Sequence, residues 1–353
     1  MNKNLFFCFL CLLIIPIDGI AGKNYFWKMC EENSETSLEC EEVGEFCSQA
    51  QAVSVPEEDR PTMSEQKKLK GCTSDGLYYG YGNPSDPVNA RKCAYFQIDQ
   101  NQNNGAFDGL PILMTVYANG EGVEKNIALA LKFACEDESG APAEFQNRVL
   151  HLNSLRRGNN ENSSFDYCDA TTSGMMMGFC ASRDAEIRQS ERTNGISELM
   201  VFWSDNKKIE FEKMRLIWHD YLKNSVNEVD QSGSARGAFV VEDREAQEEE
   251  FFDSLLSFDQ DDFPAYKDQD FIQADREMNL VYKKIQRLGS NDSNFWGTVT
   301  KHDIKESQKA WLKYRDAWVV FAKQKYPSVS AAAWKTWLTL TRTARIKSFL
   351  DMP

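Results

Sequence analysis

Residues 308–318, Gln308-Lys309-Ala310-Trp311-Leu312-Lys313-Tyr314-Arg315-Asp316-Ala317-Trp318, indicate how the C-terminal part of the chain folds. The apolar residues Ile304, Trp311, Trp318 and Phe321 recur at helical intervals, which places them on one face of a helix. Thr300 or Asp303 can cap the start of this helix, and Pro327 ends it. The pattern predicts a packed amphipathic helix and supplies no evident catalytic group.

Similar patterns flank this helix on both sides. Residues 271–288 carry an apolar stripe whose steps alternate between three and four, and residues 331–349 place several aromatic side chains inward. Upstream, Phe211, Met214, Trp218 and Tyr221 share one helix face. These periodicities predict one or two antiparallel helical bundles.

Two similar units lie between Cys72 and about Leu155. Each has a turn rich in tyrosine or glycine followed by an alanine-rich helix, and the second unit begins at Leu113. Gly120 and Gly122 can take the positive φ that ends one helix and directs the next. The units resemble the Sel-one-like repeats, relatives of the tetratricopeptide repeats, and this resemblance implies stacked helix pairs. Such a pair can be a packing scaffold or a surface for a partner.

Three ordered motifs in the last 80 or so residues carry a second resemblance. Their residues are Asp275, Asn279, Tyr282, Gln308, Trp311, Tyr314, Arg315, Asp316, Thr341 and Arg345. Together they resemble the LprI-like lysozyme inhibitors. The resemblance implies a protein that binds a muramidase without catalysis or a cofactor. The later cysteines of that family are absent here, so packing alone would have to hold this region together.

The adjacent Tyr314, Arg315 and Asp316 allow two interpretations. One is a buried or half-buried ion pair that locks neighbouring helices while the tryptophans fill the core. The other is direct contact with a partner protein.

The middle of the chain contains a weaker echo of the same motifs. The segments around Cys168 and Cys180 are similar to the paired-cysteine start of such domains, and Trp218 and Tyr221 repeat the spacing of Trp311 and Tyr314. A degenerate second copy is one explanation. Coincidence is the other, because the chain has 8 tryptophans and 12 tyrosines.

The start of the chain is typical of an exported protein. Lys3, an apolar run from Leu5 to Ile17 and the small residues before Gly22 predict a cleavable signal peptide at residues 1–21. An uncleaved anchor and lipidation are the alternatives. The apolar run is too short to span a bilayer, which needs roughly 20 residues, so we expect no stable membrane insertion after cleavage and a periplasmic or secreted location.

Eight cysteines follow the predicted signal peptide, from Cys30 to Cys180. An even number in an exported chain predicts up to four disulfides, and Cys168 with Cys180 is the candidate pair. No C-x-x-C motif is present and the three histidines are far apart in sequence, so we expect no metal site.

The charge of the chain restricts its partners. The formal net charge of -14 disfavours nucleic acid and anionic membranes and leaves a basic protein as a partner. Residues 242–263 hold ten acidic residues against one arginine, whereas residues 301–353 hold eleven basic and four acidic ones. The two regions can dock on each other, or the first can present an acidic surface to a cationic partner.

These observations predict an all-α protein with a short helical-repeat region followed by one or two antiparallel bundles. The expected divisions are the signal peptide at 1–21, an acidic cysteine-containing segment at 22–71, repeats at 72–155, a degenerate LprI-like region at 156–265 and an LprI-like domain at 266–353. The polar run at residues 153–164 is the expected linker.

The predicted function is binding. The partner suggested by the resemblance is a lysozyme or another cationic cell-wall hydrolase. The alternative is a periplasmic immunity or envelope-assembly factor that binds a toxin or partner protein through its repeats. No G-x-S-x-G, H-E-x-x-H or P-loop motif is present, which disfavours a hydrolase.

Overall fold

A computed structural model describes residues 26–30, 37–81, 83–102, 105–137, 139–158, 164–289 and 296–351. Within these ranges all regular secondary structure is helical, which confirms the predicted all-α class. The predicted signal peptide lies outside the described residues, as do Gly82 of the first repeat and residues 159–163 of the expected linker. No helix in the described ranges is both long enough and apolar enough to cross a bilayer.

The N-terminal half of the described chain contains mostly short helices. They are α1 (26–30), α2 (Ser37–Gln51), α3 (Met63–Gln66), α4 (Ser74–Tyr79), α5 (Pro87–Asp99), α6 (Leu110–Asn119), α7 (Ile127–Glu136) and α8 (Pro142–Arg156). Longer helices follow, namely α9 (Gly174–Met200), α10 (Asp205–Ser225), α11 (Arg236–Asp259), α12 (Asp268–Arg287), α13 (Lys301–Lys325) and α14 (Ala331–Asp351). A 3-10 turn, Val226–Glu228, extends α10.

The two predicted repeats form two helix pairs, α4 with α5 and α6 with α7, joined by equivalent turns. The backbone N–H of Asp86 donates to the carbonyl of Leu77 at 2.8 Å, and that of Asn126 donates to Tyr117 at 2.8 Å. The side chains of Asp86 and Asn126 then cap the N-termini of α5 and α7. The two units therefore share the geometry of this turn, and their naming as Sel-one-like repeats stays a prediction.

Four disulfides stabilise the N-terminal half. They join Cys30 to Cys40, Cys47 to Cys135, Cys72 to Cys93 and Cys168 to Cys180. The last of these is the pair predicted from sequence. The Cys47–Cys135 bridge spans 88 residues and ties α2 to the end of α7, so it restricts the unfolded chain most strongly by the loop-entropy argument.

Helix α9 connects two hydrophobic cores. Met176 and Cys180 near its start pack into the first core, together with Phe165 and Tyr167 before it, whereas Ile196 near its end packs into the second. A helix of 27 residues is roughly 40 Å long, which is enough to reach from one core to the other. The first core thus continues past the expected linker, and we place the division between the two packing units inside α9.

The second core is formed by α9 to α14 in three packed pairs. Helix α9 packs along α11, α10 along α13, and α12 along α14. Within α9 to α11 and within α12 to α14, the first helix therefore pairs with the third. The two middle helices, α10 and α13, pack against each other across the centre. Such an arrangement is expected of two related three-helix units, but the second copy stays a prediction.

We predict that Gly122→Ala destabilises the protein more than Gly71→Ala. Both glycines have positive φ, +68° and +76°, which alone costs an alanine about 1 kcal/mol. A Cβ at Gly122 would in addition lie 2.8 Å from the backbone nitrogen of Val88, whereas none of the described atoms lies within 4 Å of one at Gly71. Urea unfolding should show at least about 1 kcal/mol between the variants. Equal losses would contradict the close approach of the repeat turn to α5.

Candidate functional site

An aromatic cleft opens between α11 and α14, and α10 and α13 form its deep side. Its volume is about 560 Å³. The aromatic residues that line it are Trp218, Tyr221, Phe251, Trp311, Tyr314 and Trp337. Its polar lining includes Glu250, Ser254, Thr341, Arg342 and Arg345. A cleft of this size with an apolar wall and a few polar groups is typical of a binding site.

Four of the ten predicted motif residues line this cleft, although the sequence places them on two helices. Trp311 and Tyr314 come from α13, and Thr341 and Arg345 come from α14. The steps from 311 to 314 and from 341 to 345 each keep two side chains on one helix face. The structure therefore brings together the second and third motifs, as the packing of their helices requires.

The deep side of the cleft is a set of tightly packed rings. The ring centroids of Trp218 and Tyr314 are 4.6 Å apart, and the rings of Tyr221 and Tyr314 are parallel within 3° at 6.0 Å. Burial raises the pKa of both tyrosines, so they stay neutral at physiological pH. Trp218 and Tyr221, the predicted echo of Trp311 and Tyr314, thus contact the motif directly.

A buried ion cluster closes one end of the cleft. Arg342 donates from Nη1 and Nη2 to the two carboxylate oxygens of Glu228, at 2.7 and 2.5 Å. Arg345 donates to Glu228 at 3.1 Å and to both oxygens of Asp243 at 2.8 and 2.9 Å. Such bidentate, charge-assisted bonds fix the orientation of both guanidinium groups. The cluster connects α14 to the end of α10 and to α11.

The charges in this cluster keep Glu228 ionised. Burial alone would raise the pKa of this carboxyl group, but the charges of Arg342 and Arg345 outweigh burial and lower its pKa below 4.5. The motif residue Gln308 supports the arrangement from α13, because its Oε1 accepts a bond from Nε of Arg342 at 2.9 Å. Gln308 therefore acts through Arg342 and does not line the cleft.

The remaining motif residues lie away from the cleft, on α12 and the adjoining face of α13. Asn279 is exposed and donates to Asp275 at 2.9 Å within α12. Arg315 bonds its own neighbour Asp316 at 3.1 Å and approaches Asp275 at 3.7 Å. The inter-helix contact of Arg315 is therefore with Asp275, whereas the Arg315–Asp316 pair lies within one helix.

Tyr282 also lies outside the cleft, half-buried on α12, where burial raises the pKa of its hydroxyl group. The structure thus divides the ten predicted residues into four that line the cleft, one that supports it and five that lie on α12 or on the face of α13 next to it.

An acidic groove continues the aromatic cleft along α11. The groove is lined by Glu249, Glu250, Asp253, Ser254, Ser257, Asp262 and Trp337, among others, and has a volume of about 620 Å³. Ala246, Glu250, Ser254 and Trp337 line both spaces, so the cleft and the groove are continuous. The walls desolvate the accessible Glu250 and raise its pKa, an effect partly offset by the charge of Arg345 and by a hydrogen bond with Thr341.

The acidic helix α11 both docks on basic neighbours and faces solvent. Asp243 pairs with Arg345, and Asp259 pairs with Lys325 at 3.1 Å. Glu245 pairs with Arg192 of α9 at 2.9 Å. Docking between the acidic and basic regions is therefore present, and an acidic face remains beside the cleft.

Sequence reasoning missed three charged residues of this site. Arg342 directly follows the motif residue Thr341, and both line the cleft. Its position next to the motif was therefore a signal that could have identified it. Glu228 and Glu250 gave no such signal. Glu228 is an isolated acidic residue and Glu250 is one of many on α11, so nothing in the sequence marks either of them as part of a site. In the described ranges no cluster of His, Cys, Asp and Glu side chains could hold a metal ion.

Comparison with known proteins supports the C-terminal resemblance. Residues 259–348 match the family model of the lysozyme inhibitor LprI. This segment covers α12, α13 and most of α14. No curated protein and no solved structure matches the chain.

We predict that Glu228→Gln destabilises the fold by roughly 3 to 5 kcal/mol, because it leaves the buried Arg342 without a carboxylate. The matched control is Glu210→Gln, whose partner Lys213 is exposed and whose loss should change stability by less than about 1 kcal/mol. Denaturant unfolding of both variants measures the difference. Similar small losses would show that the buried cluster contributes no more than a surface pair.

We also predict that Glu228→Gln makes the free energy of unfolding depend less on pH at acidic pH. Because the pKa of Glu228 is lower in the folded than in the unfolded state, its stabilising contribution is complete above pH 4.5 and is lost as the pH falls through the folded-state pKa. The difference in unfolding free energy between wild type and Glu228→Gln should therefore shrink below pH 4.5. A difference that stays constant with pH would rule out this coupling.

Proposed function

We propose that this protein is an exported inhibitor that binds a basic lysozyme-type muramidase without catalysis. The observation that carries the proposal is the match of residues 259–348 to the lysozyme inhibitor LprI model. Helix α13 and most of α14 lie within that segment, and they supply the motif residues that line the aromatic cleft. A cleft of this kind can receive part of a partner protein.

The charge of the chain supports a basic partner. The net charge of -14 attracts a cationic enzyme over long range and speeds encounter. The acidic groove concentrates part of that charge beside the aromatic cleft. Because exposed charges are screened by salt, the association should weaken as ionic strength rises.

The cysteine chemistry supports export. Four disulfides are expected in an oxidising compartment and are rare in the cytosol. They agree with the signal peptide predicted at residues 1–21. We assign the N-terminal repeats a scaffolding role, because their apolar faces are already packed into the first core.

We predict that the purified mature protein slows the lysis of cell-wall substrate by at least one member of a panel of basic lysozymes. The same enzyme should co-elute with it in size-exclusion chromatography at low salt and separate from it at roughly 0.5 M salt, because the Debye length is then only a few Å. An unrelated acidic protein of similar charge serves as the control. Absence of both inhibition and co-elution across the panel would reject the proposal.

A further inference from the structure

We propose that the mouth of the aromatic cleft is the docking site for one lysine or arginine side chain of the partner enzyme. The mouth is the place where the cleft meets the acidic groove, and it is lined by Ala246, Glu250, Ser254 and Trp337. This inference rests on the proposed function and deepens it, because it assigns the contact to named residues of α11 and α14. The cationic head would lie against Glu250 and Asp253, and its aliphatic stem would lie along Trp337.

The balance of charge at the cleft favours a cation. Arg342 and Arg345 contribute two positive charges, and Glu228, Asp243 and Glu250 contribute three negative ones. Both arginines are bound by Glu228, and Arg345 is also bound by both oxygens of Asp243. Their positive charges are therefore already compensated and do not favour an anionic ligand. One carboxylate is left in excess, and a cationic side chain would neutralise it.

The acidic groove adds to that excess. Glu249 forms an ion pair with Arg192 at 3.1 Å, so its charge is partly compensated. Asp253 and Asp262 line the groove and are exposed, and no ion pair involves either of them in the described part of the chain. Glu250, which lines both spaces, and Asp253, which lines the groove beside it, therefore add negative charge at the opening of the cleft.

The walls of the cleft suit the rest of a long cationic side chain. Ring faces attract cations, and flat apolar walls cover the methylene groups of lysine or arginine. The protein already uses this contact internally, because the guanidinium carbon of Arg342 lies 5.7 Å from the ring centre of Tyr221 and that of Arg315 lies 5.3 Å from Trp311. A partner's cation would make the same kind of contact from the open side.

The mouth is accessible to an incoming side chain. Ala246, Glu250 and Ser254 follow one another at intervals of four on α11, so they form one stripe that faces the opening. Ala246 and Glu250 are exposed, whereas Trp311 and Tyr314 on the deep side are 2% and 4% exposed. The site is thus open above and closed below, as insertion from a partner surface requires.

The first test changes charge at the mouth. The double variant Glu250→Gln/Asp253→Asn should bind the inhibited lysozyme at least about tenfold more weakly than wild type, as expected when a charge pair at an interface is lost. The matched control Glu198→Gln/Glu277→Gln also removes two negative charges, but from exposed positions of α9 and α12. Because both variants lower the net negative charge by two, a difference between them comes from the charge at the mouth, and the control should stay within about twofold.

The second test blocks the mouth without changing charge. Ala246→Phe places a ring where the cleft meets the groove and should weaken binding by at least about tenfold, whereas Ala143→Phe, which adds the same ring at an exposed position of α8, should leave binding unchanged. Thermal unfolding of all variants, followed by circular dichroism, establishes that each is folded. Ala246 is exposed, so the larger side chain meets solvent and not the core.

The outcomes separate the site from the function. If wild type inhibits lysozyme and both mouth variants bind like their controls, the docking site is wrong and the inhibitor function stands. Loss in the charge variant but not in Ala246→Phe also overturns insertion, because attraction by the groove alone would explain it. A wild type that binds no lysozyme rejects the function, and the docking site with it.

Discussion

The buried carboxylate of Glu228 is the constraint on which the C-terminal bundle depends. Removing a charge from water is costly, so a buried carboxylate persists only where its partners are fixed in good geometry. Here the partners are Arg342 and Arg345 of α14, while Glu228 belongs to the turn that follows α10. The position of α14 therefore depends on groups supplied by α11 and by the turn after α10. The residues that match the LprI model thus rely on a group outside the matched segment.

The same dependence explains why the cleft has this shape. Helices α10 and α13 pack along each other through Trp218, Tyr221 and Tyr314, which leaves α11 and α14 on one side of that layer. The ion cluster fixes α14 to α11 through Arg345 and Asp243 at one end. Beyond this contact the two helices are separated by the cleft. The opening is thus a product of the helix packing.

Periodicity predicted the parts of this structure that depend on neighbours in sequence. The inward faces of α12 to α14 follow from apolar steps of three and four, and the turns of the repeats follow from Gly120 and Gly122. Contacts between distant charged residues have no such period, so the bond from Arg342 to Glu228 across 114 positions could not be predicted. The sequence pattern singled out Arg315 and Asp316 instead, but their ion pair lies within one helix. The polar run before Phe165 likewise suggested a boundary, but Phe165 packs back into the first core.

The residues that hold the bundle together differ from those proposed to contact the partner. Several motif residues already contact other groups of the bundle, and these contacts hold its helices together. They are Gln308, Trp311, Tyr314 and Arg345. Glu250 and Asp253 lie on α11, which lies before the segment that matches the LprI model except for its last residue. On the proposed function, the motif residues of α13 and α14 would fix the deep side of the cleft while the exposed stripe of α11 would contact the partner. Substitutions on that stripe meet solvent and cost little stability, so they change the surface offered to the partner and leave intact the buried charge cluster that holds α14.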